Sequence, residues 1–252
     1  MEALACIKRV PDTGAKIPLT DDQQSIDTTT LGFTVSPHEE CAVEEAVQQV
    51  ETHGGSTTAL TLGPEEASEQ LYTAIARGAD EGVLLEAGDE EWRPTATARA
   101  IADAIEELER KFDLLLFGNE SADTENYQVG PRVANELDVP CVTGIKDLEV
   151  TDGSAVAKRE VTGGSEVYEV PLPAVVAVKE GINSPRYPSM RSRMRAKRQE
   201  LTRMDPERVD GPTFERIRLE APETDEGAAE VLGEGPEAAP AVVDVLEDIG
   251  VL

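Results

Sequence analysis

The chain is 252 residues long and carries 51 Asp and Glu against 23 Lys and Arg, for a formal net charge of −28 at pH 7. That length buries a sizeable core, as one large α/β domain or as one domain with an extended tail, and excludes a peptide hormone or a small disulfide scaffold. So strong a negative field repels nucleic acid and anionic membrane surfaces, which excludes general binding to either.

Short apolar runs alternate with amphipathic stretches over the first two-thirds, the pattern of βαβ units around a parallel sheet. Strands are predicted at 3–8 (ALACIK), 57–62 (TTALTL), 82–86 (GVLLE), 113–118 (DLLLFG) and 173–179 (PAVVAVK). The first helix has a full start signal: Ser36 as cap, Pro37 in the first turn, and Glu39 to complete a capping box. It runs to Gly54 and Gly55. A second helix follows the Gly63-Pro64 turn and stops at Gly78, a third covers 95–111, and a fourth starts near Tyr127. Between Val142 and Val170 the period changes to alternation, with turn signals at Asp152-Gly153 and Gly163-Gly164, which predicts an appended β-meander. The fold class expected is therefore α/β, a twisted parallel sheet of Rossmann-like type with flanking helices. Residues 1–204 are expected to form this α/β domain, and residues 205–252 an acidic, extended tail ending in a docking helix.

Cys6, Cys41 and Cys141 are the only cysteines and show no CxxC spacing, so no metal or redox dithiol is expected and a reducing compartment fits. The opening MEALACIKRV is charged too soon for a signal peptide, and no apolar run approaches the ~20 residues of a spanning helix. A soluble, cytoplasmic protein is expected. Only seven lysines stand beside sixteen arginines. A solvated acidic shell poor in lysine suits high salt, where screening removes self-repulsion.

Neither GxGxxG after the first strand nor GxxxxGK[ST] occurs, and no Ser/His/Asp or metal-ligand set is visible. The two histidines, His38 and His53, are read as solvated surface residues. The loop 118–130 (GNESADTENYQVG) follows the most apolar strand. Ligands in open parallel sheets sit beyond the carboxyl ends of strands, where helix N-termini offer free N–H groups. Asp123 can accept from a ribose or an adenine amine, and Gln128, Val129 and Gly130 can present backbone donors. A polar βα loop without a ligand is the equal alternative.

Between Arg186 and Arg203 seven of eighteen positions are basic and only Glu200 is acidic. A nucleic-acid patch conflicts with the surrounding field, and a solvated helix face is the default. The third reading is a docking segment: Pro185 and Pro188 stiffen the lead-in, and Met190 and Met194 lie at helical i, i+4 spacing among arginines.

The stretch LPAVVAVKEGINSPRYPSMRSRMRAKR (172–198) resembles the signature of electron transfer flavoprotein β subunits. KRVPD (8–12), VSPHEECAVEEAV (35–47), TLGP (61–64), TAIARGAD (73–80), the loop 118–130 and the final LEDIG fall in that family's order. The resemblance implies a heterodimer whose larger α subunit carries most of the FAD site. The β subunit is then no catalyst but binds AMP or a second FAD, through Cys6, Ser36, Leu62, Asp123, Gln128, Val129 and Gly130. Met190 falls at the apolar anchor of a recognition loop, with Pro185, Arg186, Tyr187, Arg191, Arg193 and Met194 around it. Acyl-CoA or other dehydrogenases would be donors and a membrane quinone oxidoreductase the acceptor. Tyr127-Gln128-Val129-Gly130 departs from the Asn-Gln-Thr-Gly common in AMP-bearing members. Thr97 and QVGP (128–131) look like the electron-bifurcating branch with a second FAD, whereas Arg93-Pro94 and Tyr127 do not. A stand-alone nucleotide-binding regulator of universal-stress type is the alternative, without use for the basic strip or tail.

Overall fold

A computed structural model describes residues 1–12, 14, 16–88, 91–151, 153–209, 216–221 and 231–252. Asp152 of the expected turn, and residues 222–230 of the acidic tail, lie outside the described residues. In chain order the elements are β1 (Glu2–Cys6), β2 (Val10–Pro11), β3 (Phe33–Thr34), α1 (Pro37–His53), β4 (Ser56–Gly63), α2 (Ser68–Arg77), β5 (Glu81–Glu86), α3 (Pro94–Glu107), β6 (Leu114–Gly118) and α4 (Val129–Glu136). They continue with β7 (Cys141–Thr151), β8 (Ser154–Val161), β9 (Gly164–Pro171), β10 (Ala174–Val178), α5 (Met190–Ala196), β11 (Thr202–Met204) and α6 (Ala239–Asp248).

Nine strands form one sheet in the order β11-β5-β4-β1-β6-β10-β7-β8-β9, while β2 and β3 pair by themselves. All neighbours are parallel except β7-β8 and β8-β9, the expected meander. The meander joins the parallel sheet through the start of β7, and a register shift between Ile145 and Asp147 lets the strand turn away from β10 toward β8.

The central strands are apolar on both faces because helices cover both. Ala3 and Ala5 of β1 pack with Ala42, Ala46 and Leu71 on the face of α1 and α2, whereas Leu4 and Cys6 pack with Ala98, Ile101 and Val133 of α3 and α4. Leu4, Leu60, Leu84 and Leu116 are fully buried, each worth about 1.5–3 kcal/mol over an exposed position.

Helix ends follow local chemistry. α1 stops at Gly54, whose φ is 74°. Gly78 after α2 has φ 132°, and a Cβ there would stand 2.9 Å from Val47 Cγ1, so both backbone and space require glycine. α3 is shorter than its periodicity predicts, ending at Glu107 just before Glu109 turns left-handed at φ 49°.

The chain divides into two compact units, residues 1–18 with 26–215, and residues 19–25 with 216–252. The first holds the whole sheet. In the second, Gln24 Nε2 donates to the Ile217 carbonyl at 2.8 Å and the Leu219 N–H to the Gln23 carbonyl at 2.8 Å. α6 leaves Val242, Val243 and Val245 exposed.

Candidate nucleotide site and docking segment

From β1 the chain moves to β4 and β5 on one side, then α3 carries it across to β6 on the other. The order therefore reverses between β1 and β6, and the crevice beyond their carboxyl ends is the place where an open α/β sheet takes ligands. Cys6 ends β1, in register with Leu60 of β4 and Phe117 of β6, and Leu62 extends β4 past it. The Cys6 thiol is 5 % exposed. Burial, and after it the Glu39 charge, raises its pKa far out of the reactive range.

α1 begins at this crevice. Its cap Ser36 is buried, and the Glu39 carboxylate accepts from the Ser36 N–H at 3.1 Å and from the Ser36 hydroxyl. Glu39 is itself buried, and desolvation lifts its carboxyl from 4.5 to about 7, against the Ser36 hydrogen bonds and Lys8, which lower it. The turn packs directly on Gly118, which ends β6. His38 belongs to the same turn and is not a solvated surface residue as expected. Its side chain is 15 % exposed, its Nε2 lies 3.5 Å from Glu120, and its Nδ1 is buried without a partner. His53 is exposed.

Lys8 ties the following loop to β1. Its ammonium lies 2.6 Å from Asp123 Oδ2 and 3.4 Å from Thr124 Oγ1. Burial raises the Asp123 carboxyl, but the Lys8 ammonium together with the Ser121 hydrogen bond holds the group below its ordinary range. Farther on, Glu125 and Tyr127 adopt φ of 45° and 55°, conformations that residues with a Cβ rarely take. Gln128 directly precedes α4 without a capping side-chain hydrogen bond, and Gly130 is packed so that a Cβ would touch Phe117 at 3.3 Å. The first N–H groups of α4 have no partner within the helix. Between the start of α3 and the length of α4 lies an open cavity of about 330 Å³, walled by Thr95, Tyr127, Gln128, Pro131, Arg132, Asn135 and Glu136. Arg132 donates to Gln128 Oε1 at 2.9 and 3.1 Å.

Cys6, Leu62, Ser36, Asp123, Gln128, Val129 and Gly130 thus gather at one edge of the sheet. Tyr127 and Gln128 alone of the expected residues wall the cavity. Thr97 lies one turn into α3, half-buried, with Ala98 of the same helix in the core. Lys8, His38 and Glu39 stand beside these residues, through Asp123, Glu120 and Gly118, and were not expected there. KRVPD (8–12), which the resemblance singled out, contains Lys8.

The basic strip forms a short helix on a rigid lead-in. Asn183 donates to the Cys41 carbonyl at 3.0 Å and to Glu45 Oε2 at 2.9 Å. Pro185 is half-buried and Pro188 buried. Ser189 caps α5 by accepting from the Ser192 N–H at 3.1 Å, and Ala196 anchors α5 in the core. Tyr187, Met190 and Met194 remain 87, 74 and 57 % exposed, so the three large apolar groups of the segment face outward. Arg191 and Arg193 are exposed, with the Arg193 guanidinium 5.1 Å from the Tyr187 ring centroid. Arg186 instead turns inward, onto Glu44 and Glu51 of α1.

Among the described residues no helix is long and apolar enough to cross a membrane, and no cluster of three His, Cys, Asp or Glu is arranged to hold a metal.

The electron transfer flavoprotein domain family matches residues 25–209. The chain is 34 % identical over 252 residues to the electron transfer flavoprotein subunit beta of Bacillus subtilis, covering 98 % of this chain and 97 % of that one. It is 37 % identical over 202 residues to the subunit of the same name from Syntrophomonas wolfei, covering 79 % and 77 %. It is also 33 % identical over 207 residues to the caffeyl-CoA reductase-Etf complex subunit CarD of Acetobacterium woodii, covering 80 % and 77 %.

Proposed function

Because this chain belongs to the electron transfer flavoprotein family, as one of its β subunits, we propose that it is the electron-carrier β subunit of a cytoplasmic heterodimer. The α subunit holds most of the FAD site, and this chain adds a second adenine nucleotide at the β1/β6 crevice. AMP and the adenylate half of a second FAD share the chemistry needed. Backbone donors of Gln128, Val129 and Gly130 suit the phosphate, Asp123 suits a ribose or adenine donor, and Cys6, Ser36 and Leu62 line the strand ends. Tyr127 and Thr97 bear on whether a flavin ring can follow. Flavin, when bound, supplies the redox chemistry. The residues of this chain bind, orient and exclude water.

Donors are acyl-CoA or related dehydrogenases and the acceptor is a quinone oxidoreductase. The observation that carries this reading is the outward stand of Tyr187, Met190 and Met194 on a firmly anchored, arginine-rimmed segment. An apolar plug within a basic rim fits an acidic-edged pocket on a protein partner. In the heterodimer, Met190→Ala is expected to raise the KM for a reduced acyl-CoA dehydrogenase about tenfold, with flavin content unchanged. Unaltered donor kinetics would remove the docking role.

A further inference from the structure

Arg186 was expected among the partner contacts, yet its polar atoms are spent inside the chain. Its Nε lies 3.0 Å from Glu44 Oε2 and its Nη2 3.0 Å from Glu44 Oε1, a two-pronged fork, while its own N–H donates to Glu44 Oε2 at 2.9 Å. The outer edge of the guanidinium meets Glu51 at 2.6 and 2.9 Å. The Glu44 side chain is only 3 % exposed and Glu51 is 58 % exposed. One carboxylate is therefore the buried seat and the other an outer brace. Burial opposes the charge on Glu44, and the Arg186 hydrogen bonds more than reverse it, leaving that carboxyl below its usual range. Glu44 and Glu51 are seven residues apart, two turns on one face of α1. With Asn183 on Glu45, they fix both ends of the stretch that leads directly into Tyr187.

Resting on the docking reading above, we propose that the Glu44–Arg186–Glu51 clamp is a positioning device that holds Tyr187 and Met190 out of the surface in the docking-ready pose. A segment with two prolines and a helix of about two turns would otherwise sample many directions, and ordering it on contact opposes association. The clamp places that ordering in the free protein. Arg186 acts through Met190 and touches no partner, whereas Arg191 and Arg193 form the rim.

The test is a double-mutant cycle in the assembled heterodimer, using an acyl-CoA dehydrogenase reduced by its acyl-CoA as the probe. Arg186→Lys keeps the charge but loses the fork, and Glu51→Gln cuts only the outer brace, so neither leaves Glu44 facing an empty, buried site. Each is expected to raise the KM for the dehydrogenase three- to tenfold, with kcat and the rate of flavin reduction by dithionite unchanged. In the Met190→Ala background each is expected to add little, because the clamp works by presenting that side chain. Losses that add fully in the double variants, or an unchanged KM in both single variants, would overturn the clamp. If Met190→Ala alone changes nothing, the docking reading itself has failed and the clamp falls with it.

Discussion

Gly118 and Glu39 touch so closely that a Cβ on Gly118 would stand 2.6 Å from Glu39 Cγ and 3.0 Å from the Glu39 nitrogen. The end of β6 and the first turn of α1 can meet only because residue 118 has no side chain. Gly118→Ala is therefore expected to push the turn outward. The expected cost is about 1–3 kcal/mol of stability, with weaker retention of the nucleotide proposed for the crevice. Urea unfolding and nucleotide content after gel filtration read both, and an unchanged midpoint would show that the turn yields freely.

The same contact buries Glu39 and lifts its carboxyl to about 7. A carboxyl raised on folding stays protonated in the native state while the unfolded chain ionises from about 4.5. Its contribution to stability is then present at low pH and declines as pH rises between those two values, by up to about 3 kcal/mol. Glu39→Gln removes the effect. The stability of the variant minus that of the parent is expected to grow from about pH 5 to about pH 8. A difference independent of pH would mean that Glu39 ionises normally.

Lys8 has a separable role. Its pair with Asp123 is partly exposed, so Lys8→Met is expected to cost under about 1 kcal/mol. The same change frees the loop 119–128 from β1, and a faster loss of nucleotide on dialysis is expected. Equal retention at equal stability would confine Lys8 to the surface.

The net charge of −28 sets the salt response. Adding KCl screens self-repulsion, and the melting temperature is expected to rise by several degrees, with ~2–4 °C for each 1 kcal/mol in a chain of this size. A steady fall with KCl would refute the acidic-shell reading.

The parallel core was legible because its strands are apolar runs and its helices carry caps. Five strands and α1 to α4 fall where the pattern puts them, and the meander shows its period-2 signal. β11 was not legible: Thr-Arg-Met is too short to show a period, and it pairs with β5 only through distant chain. Glu39 read as half of a capping box, which it is, but sequence carries no mark that the turn is buried by Gly118. Likewise Glu44 looks like one more acid among 51 Asp and Glu, and only the fold brings Arg186 to it. Local chemistry is written locally, whereas pairs 142 residues apart are not.

We propose that the β1/β6 crevice holds an adenine nucleotide in addition to the FAD of the heterodimer. The most direct measurement is the nucleotide inventory of the protein co-purified with its α subunit, by flavin absorbance and mass spectrometry after denaturation. One FAD plus one further adenine nucleotide per heterodimer is the expected result, AMP marking a one-flavin carrier and a second FAD marking a redox-active crevice. A single FAD with no further adenylate, or no α subunit at all, would show that the crevice holds no second nucleotide or that the heterodimer does not form.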